Sequence, residues 1–291
     1  MLKNGFYTAL GTPVDETGNF LPHSFVKHIE DQVNAGAAGL LVMGSMGIEP
    51  YIKDSEYQSI AITGAEAVHG RCPVFVGVMD NSISRVMAKI KMIDHLKIDG
   101  VVATVPFYYA VTQNEVLKFF SAIADHSPVP LYLYDLPGVT KTKINVQTAM
   151  RLAEHKNIQG IKTGDLITAR ILSRTVDQSD FHVLYSGLDT FDIAYQYGIR
   201  MNLDGMFSCT PALAEKLYIS LESGDYLSAG KYLDDILLLR DTLVSVGVFS
   251  GFTCAMNLLG YAGYFSPDYS LNLTPEQVEL IKSCLIKCGL L

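Results

Sequence analysis

The chain has 291 residues, 49% of them hydrophobic, with 22 basic against 30 acidic side chains and a net charge of −8. That length suits one large domain, or one domain with a helical extension, and the apolar share can fill a sizeable core. A chain this acidic lacks the basic surface expected of a nucleic-acid or anionic-membrane binder.

The opening stretch MLKNGFYTALGTP has no apolar core of the kind a secretory signal carries before its Gly-Thr-Pro. Five cysteines lie far apart, with no C-x-x-C pair, and an odd count fits buried thiols in a reducing cytoplasm. Apolar, β-rich runs then recur along the chain: GFYTALGTP, GLLVMGS, PVFVGVM, GVVATVP, VPLYLYDLP, IQGIKTGD, HVLYSG and DGMFSCTP. Most are continuous rather than alternating, as in parallel strands buried on both faces. Between them lie helical patterns. LPHSFVKHIEDQVNAG repeats Phe25, Val26, Ile29 and Val33 and ends at Gly36, and Thr112 with Glu115 has capping-box spacing.

Eight β units, each followed by a helix, predict an α/β fold, a (β/α)8 barrel over residues 1–223. A doubly wound sheet is the rival architecture. Residues 224–291 carry helical patterns without strands and are expected to form a C-terminal helical region packed on the barrel. The uncharged stretch 242–267 is long enough to span a bilayer, but Ser245, Ser250, Thr253, Asn257 and the Gly247–Gly251 pair predict a buried helix preceded by a turn.

Barrel enzymes place their chemistry at the C-terminal ends of the strands. Those ends bring Gly44-Ser45-Met46-Gly47, Tyr108-Tyr109, Tyr134-Asp135, Lys162-Thr163, Ser186-Gly187 and Phe207-Ser208 to one mouth. Lysine is depleted in strands, so Lys162 at the end of IQGIKTGD is conspicuous. Burial disfavours an ammonium ion, and a neutral amine adds to carbonyls to give a Schiff base. A tyrosine relayed through a serine hydroxyl can shuttle the protons. The rival reading pairs Lys162 with Asp165 or has it snorkel outward; Tyr134 alone would be a core tyrosine and Ser45 a turn residue. No histidine falls at a predicted strand end and there is no H-x-H or H-E-x-x-H, so no metal is expected, and no G-x-G-x-x-G or Walker motif calls for a nucleotide.

In GTPVDETGNF, GSMG, YLYDLPGVT and GIKTGD, in that order, the chain resembles the dihydrodipicolinate synthase / N-acetylneuraminate lyase family. The resemblance covers essentially the whole chain. It implies a pyruvate-dependent class I aldolase that needs no metal or organic cofactor, working through a covalent lysine–pyruvate imine. By position it makes Lys162 the Schiff-base lysine, Tyr134 the proton carrier, Ser45 a relay hydroxyl and Tyr108 an aromatic relay donated across a subunit interface of a homotetramer or dimer. It places the pyruvate carboxylate on the amides of the Ser45-Met46-Gly47 loop, with Phe207 lining the site. Glu49, Thr163 and Asp189 ring the mouth as candidates for the rest of a keto-acid substrate, along with Asp135, Asp165 and Ser208, although each of these could equally cap a helix.

The chain departs from the family pattern at Met46, where a second threonine is usual, at Ile48 in place of glutamate, and at Val139, which stands where dihydrodipicolinate synthases carry a carboxylate-gripping arginine. Losing a bidentate arginine is a large change. The expectation is therefore a lyase that reversibly cleaves a 2-keto-3-deoxy sugar acid or related 4-hydroxy-2-oxo acid. The alternatives are a 4-hydroxy-tetrahydrodipicolinate synthase or a non-catalytic keto-acid-binding relative. A phosphate-binding barrel isomerase would rest on the fold alone.

Overall fold

In a computed structural model, which describes residues 2–177 and 179–291, parallel strands close into a barrel in chain order. They are β1 (Gly5–Ala9), β2 (Gly39–Val42), β3 (Val74–Gly77), β4 (Gly100–Thr104), β5 (Leu131–Asp135), β6 (Ile158–Thr163), β7 (His182–Tyr185) and β8 (Met201–Asp204). The helices between them are α1 (Pro22–Asn34), α2 (Asp54–Val68), α3 (Ile83–Ile93), α4 (Gln113–His126), α5 (Pro137–Thr140), α6 (Val146–Ala153), α7 (Leu166–Thr175) and α8 (Phe191–Gln196). After β8 come α9 (Pro211–Ser223), α10 (Tyr226–Ser245), α11 (Val248–Leu258) and α12 (Pro275–Lys287).

The strands form because their residues are apolar at nearly every position, and β2, β3, β4, β5 and β7 are buried along their whole length. The helices start where the sequence supplies caps: both halves of the Thr112–Glu115 box form on α4, and Thr274 with Gln277 forms a second box on α12. The uncharged stretch breaks as its residues predict. α10 ends at Ser245, Gly247 takes φ +102°, and α11 begins at Val248. Among the described residues no helix is long and apolar enough to cross a membrane.

One expectation is corrected. The eighth strand ends at Asp204, short of the expected Phe207-Ser208, because the Asp204 carboxylate accepts the Met206 N–H at 2.8 Å and a 3-10 turn follows over Met206–Ser208. By its internal contacts the chain groups into two compact units. They are residues 2–5 with 73–203, carrying β3 to β8, and residues 6–72 with 204–291, carrying β1, β2 and the C-terminal helices. α10 packs against α9, so the tail helices continue the second unit rather than forming a separate layer. Of the cysteines, Cys209, Cys284 and Cys288 are buried and Cys72 and Cys254 half-buried. Burial pushes the Cys209 thiol up to about 12.

Candidate active site

The first unit carries the lysine. β5 and β6 pair so that Tyr134 lies in register with Lys162. Parallel partners direct their side chains to the same face. The Lys162 Nζ donates to the Tyr134 hydroxyl at 2.9 Å and lies 4.1 Å from the ring centroid. Lys162 is only 6% exposed and Tyr134 4%. Below them on the same face, Tyr132 fills the barrel edge to face with Phe75, their centroids 4.8 Å apart. Gly160 makes room for that ring, since a Cβ there would stand 2.6 Å from both Tyr132 and the His182 carbonyl. A buried lysine whose nearest polar partner is a phenol can act as an amine nucleophile with a proton carrier beside it.

One residue further along each strand, the chemistry is different. Asp135 is buried. Its carboxylate accepts from the Thr163 hydroxyl at 3.0 Å, from the Ile144 N–H at 3.0 Å and from Lys143 Nζ at 3.1 Å. Lys143 also reaches Asp165 at 3.0 Å, and Asp165 caps α7 by accepting the Thr168 N–H at 2.6 Å. Burial opposes charge on Lys143, but its bonds to Asp165 and Asp135 outweigh it and hold the ammonium above its ordinary range. Burial likewise works against the Asp165 carboxylate, and the Thr168 amide with Lys143 overcomes it and lowers its pKa. Asp165 is therefore the partner of Lys143, not of Lys162. Lys143 had no signal in the sequence, since it lies in the loop before α6 and belongs to no strand end.

Thr163, expected to touch substrate, is fully buried, and its hydroxyl donates to Asp135 while accepting the Asp165 N–H at 3.1 Å. Asp189 lies exposed in a 3-10 turn over Leu188–Thr190. Beside that turn the buried Tyr185 phenol bonds to Thr190, and its pKa is raised by burial, with Asp165 and Asp189 adding to the effect. Tyr108 is 68% exposed and stacks edge to face on Tyr109, so the chain does not carry it to Lys162. Its backbone is pinned instead: the Asn81 carboxamide oxygen accepts both the Phe107 and Tyr108 N–H groups at 2.9 Å. Val139 is exposed on α5.

The second unit carries the GSMG loop after β2. Met43 and Ile48, which flank it, both take positive φ, at 53° and 49°. For a β-branched residue such as Ile48 that is a strained conformation, of the kind retained where a loop has a task. Ser45 and Met46 are half-buried at the turn, and the Ser45 carbonyl accepts the Ile48 N–H at 3.1 Å. The Met46 side chain lies over Gly205, where a Cβ would meet its Cγ at 2.0 Å.

Three expected binding residues of this unit are enclosed by the fold. A Cβ on Gly47 would fall 2.8 Å from the Met43 Cα and 2.9 Å from the Leu10 carbonyl, so the glycine serves close backbone approach. Glu49 is buried, and its charge bears on the buried Tyr57 phenol, whose pKa is raised first by burial and then by Glu49. Phe207 is fully buried against Phe6, centroids 5.6 Å apart, and Phe6 in turn meets Tyr218 of α9. Its ring thus packs in the layer between β1 and α9. Ser208 is spent as well, donating to the Ala9 carbonyl and accepting the Gly11 N–H.

A cavity of about 640 Å³ opens in the second unit between the loop after β1 and α11, with Ile48 of the GSMG turn on its wall. Several of its polar walls are engaged in the fold: Lys53 with Asn19, Ser250 with the Leu271 carbonyl, and Asn257 with the Tyr261 and Gly263 carbonyls.

Comparisons with known proteins give the chain's family and fold. The model of the dihydrodipicolinate synthetase family matches residues 2–267. The 4-hydroxy-tetrahydrodipicolinate synthase of Ligilactobacillus salivarius is 31% identical over 288 residues, covering 96% of this chain and 97% of that protein. The enzyme of the same name from Gluconacetobacter diazotrophicus is 28% identical over 99% of this chain and 97% of its own length. Among solved structures, dihydrodipicolinate synthase from Thermotoga maritima superposes with a TM-score of 0.91 at 24% identity, covering all of both chains. A prophage protein of the dihydrodipicolinic acid synthase family from Escherichia coli K12, solved with pyruvate, has the same TM-score at 21% identity over the full length of both chains. These two structures speak to the fold.

Proposed function

Because the chain belongs to the dihydrodipicolinate synthetase family, we propose that it is a class I aldolase that uses Lys162 to cleave or form a 4-hydroxy-2-oxo acid through a pyruvate imine. The observation that carries this reading is the buried contact of 2.9 Å between the Lys162 amine and the Tyr134 hydroxyl.

In the cleavage direction the Lys162 nitrogen adds to the C2 carbonyl. After proton transfer, water leaves and an iminium remains. Tyr134 takes the C4 hydroxyl proton as the C3–C4 bond breaks, the electron pair passes into the iminium, and the aldehyde departs. The resulting enamine is protonated at C3, and water releases pyruvate and regenerates the amine. Tyr134 is suited to the proton transfers because its oxygen is already within hydrogen-bond reach of the reacting nitrogen. We assign the Ser45 and Met46 amides to the substrate carboxylate, an anion site of backbone N–H groups, and the Ser45 hydroxyl to the relay. Tyr108, exposed in the single chain, would act from a second copy in a homo-oligomer. Of the expected outer contacts, Asp189 is the one we retain for the remainder of the substrate.

The substrate class we favour is a 2-keto-3-deoxy sugar acid, because Val139 offers no cationic grip for the second carboxylate of an amino-acid semialdehyde. The names of the relatives support a second reading, condensation of pyruvate with aspartate semialdehyde. Both share the lysine step. Incubation with pyruvate, borohydride reduction and peptide mass spectrometry should place the added mass on Lys162, and Lys162→Met should abolish it. Labelling elsewhere, or none, would remove the aldolase reading. Turnover of aspartate semialdehyde with no cleavage of sugar acids would select the second substrate.

A further inference from the structure

The row that holds the lysine and the tyrosine extends one strand further. On β4, Thr104 pairs in register with Tyr134, as Tyr134 pairs with Lys162 on β6. Register partners in parallel strands share a face. Thr104 therefore flanks Tyr134 on the side opposite Lys162. It is 4% exposed, and its Oγ1 has no hydrogen-bond partner among the described residues. Burying a hydroxyl without a partner costs its desolvation and returns nothing.

The contrast with the neighbouring row is informative. There Thr163, also buried, has its hydroxyl both donating and accepting. Asn202, whose carboxamide is buried without hydrogen-bond partners among the described residues, is in register with Tyr185 and so belongs to the Thr163 row, not to the row of Lys162. Thr104 is thus an unspent buried hydroxyl in the row of the reacting groups. A threonine hydroxyl supplies one donor and two acceptor sites and rotates to suit. An oxygen-rich 2-oxo acid is a ligand that can use it.

We propose that Thr104 is a substrate-contact residue whose hydroxyl bonds an oxygen of the 2-oxo acid held at Lys162 and Tyr134. The proposal rests on the aldolase reading above. It predicts an unusual pairing of effects. Thr104→Val keeps the shape and removes a buried hydroxyl that the fold does not use, so its Tm should equal or exceed that of the unaltered protein. The pyruvate concentration that half-saturates borohydride-trapped labelling of Lys162 should nevertheless rise roughly 10- to 100-fold. Thr104→Ser, which restores the hydroxyl, should label within about 3-fold of the unaltered protein.

Half-saturation of Thr104→Val within about 2-fold of the unaltered protein would overturn the proposal. So would a lowered Tm whose labelling defect Thr104→Ser does not rescue. Should Thr104→Val fail to fold, Thr104→Ala against Thr104→Ser makes the same comparison of hydroxyl absent and present. The two failures are distinct. If the unaltered protein does not label, the aldolase reading falls and this proposal with it; if it labels and the variants match it, only Thr104 is wrongly assigned.

Discussion

Two rows of side chains sit one residue apart on the same strands, and they have opposite fates. The Lys162 amine donates to the Tyr134 hydroxyl, and the Thr104 hydroxyl beside them has no hydrogen-bond partner among the described residues. Asp135 and Thr163, the next residues along, are locked with Lys143, Asp165 and two backbone amides into a network that uses the donors and acceptors on offer. A strand alternates its faces with a period of two, so a single step along the chain separates groups kept available for chemistry from groups consumed by the fold. The charged and hydroxyl-bearing residues at a barrel mouth are therefore not interchangeable candidates.

The contrast can be broken at several points. The largest effect should come from Tyr134→Phe. Removing the proton carrier should lower turnover by roughly 10²- to 10⁴-fold, while pyruvate still adds to Lys162 and is trapped by borohydride. A steady-state assay beside the trapping experiment checks this, and full activity in the variant would assign the proton transfers elsewhere. In the other row, Asp135→Asn should act on stability instead. It removes the charge that a buried carboxylate shares with Lys143, at a cost of about 2–3 kcal/mol. Denaturant melts would show that loss, with turnover per folded molecule close to that of the unaltered protein. A turnover defect without destabilisation would move Asp135 into the reacting row.

The smallest effect belongs to Asp165, which is part-exposed and caps α7. Asp165→Ala should cost about 1 kcal/mol as a lost cap. Its pH dependence has a definite sign. The carboxylate pKa is lowered from its ordinary 3.8 in the folded state, so its contribution is present above pH 3.8 and is lost as pH falls through the lower folded value. The Lys143 pKa is raised from 10.5, so its share is present below that pH and is lost as pH rises through the raised value. The stability difference between Asp165→Ala and the unaltered protein should be flat between those limits and shrink toward acid. A difference that persists undiminished at pH 2 would assign the effect to packing rather than charge.

Much of this was legible in the chain. Lys162 at a strand end, against the strand preference of lysine, pointed to the site, and the continuous apolar runs located the strands. The Thr112–Glu115 spacing predicted a box that forms. Other residues are held by contacts that the sequence does not show. Phe207 looked like a strand-end aromatic, but the Asp204 carboxylate turns the chain first and the ring goes to Phe6. Gly47 looked like part of an anion loop, and its missing side chain is needed by the Met43 and Leu10 backbones. Of the two glycines in IQGIKTGD, a Cβ at Gly160 would strike Tyr132, whereas at Gly164 the nearest atom would be 3.6 Å away.

The sequence by itself determined the strands, the helix starts, the break at Gly247 and the residue types gathered at the strand ends, because these depend on local periodicity, capping and backbone freedom. Only the tertiary structure decided which of those residues remain available. Whether a hydroxyl or carboxylate is spent depends on partners brought from elsewhere in the chain: Lys143 to Asp135, Asp135 to Thr163 across 28 residues, Tyr134 to Lys162 across another 28. Hydrogen bonds in a buried site are satisfied through space, and no local pattern records them.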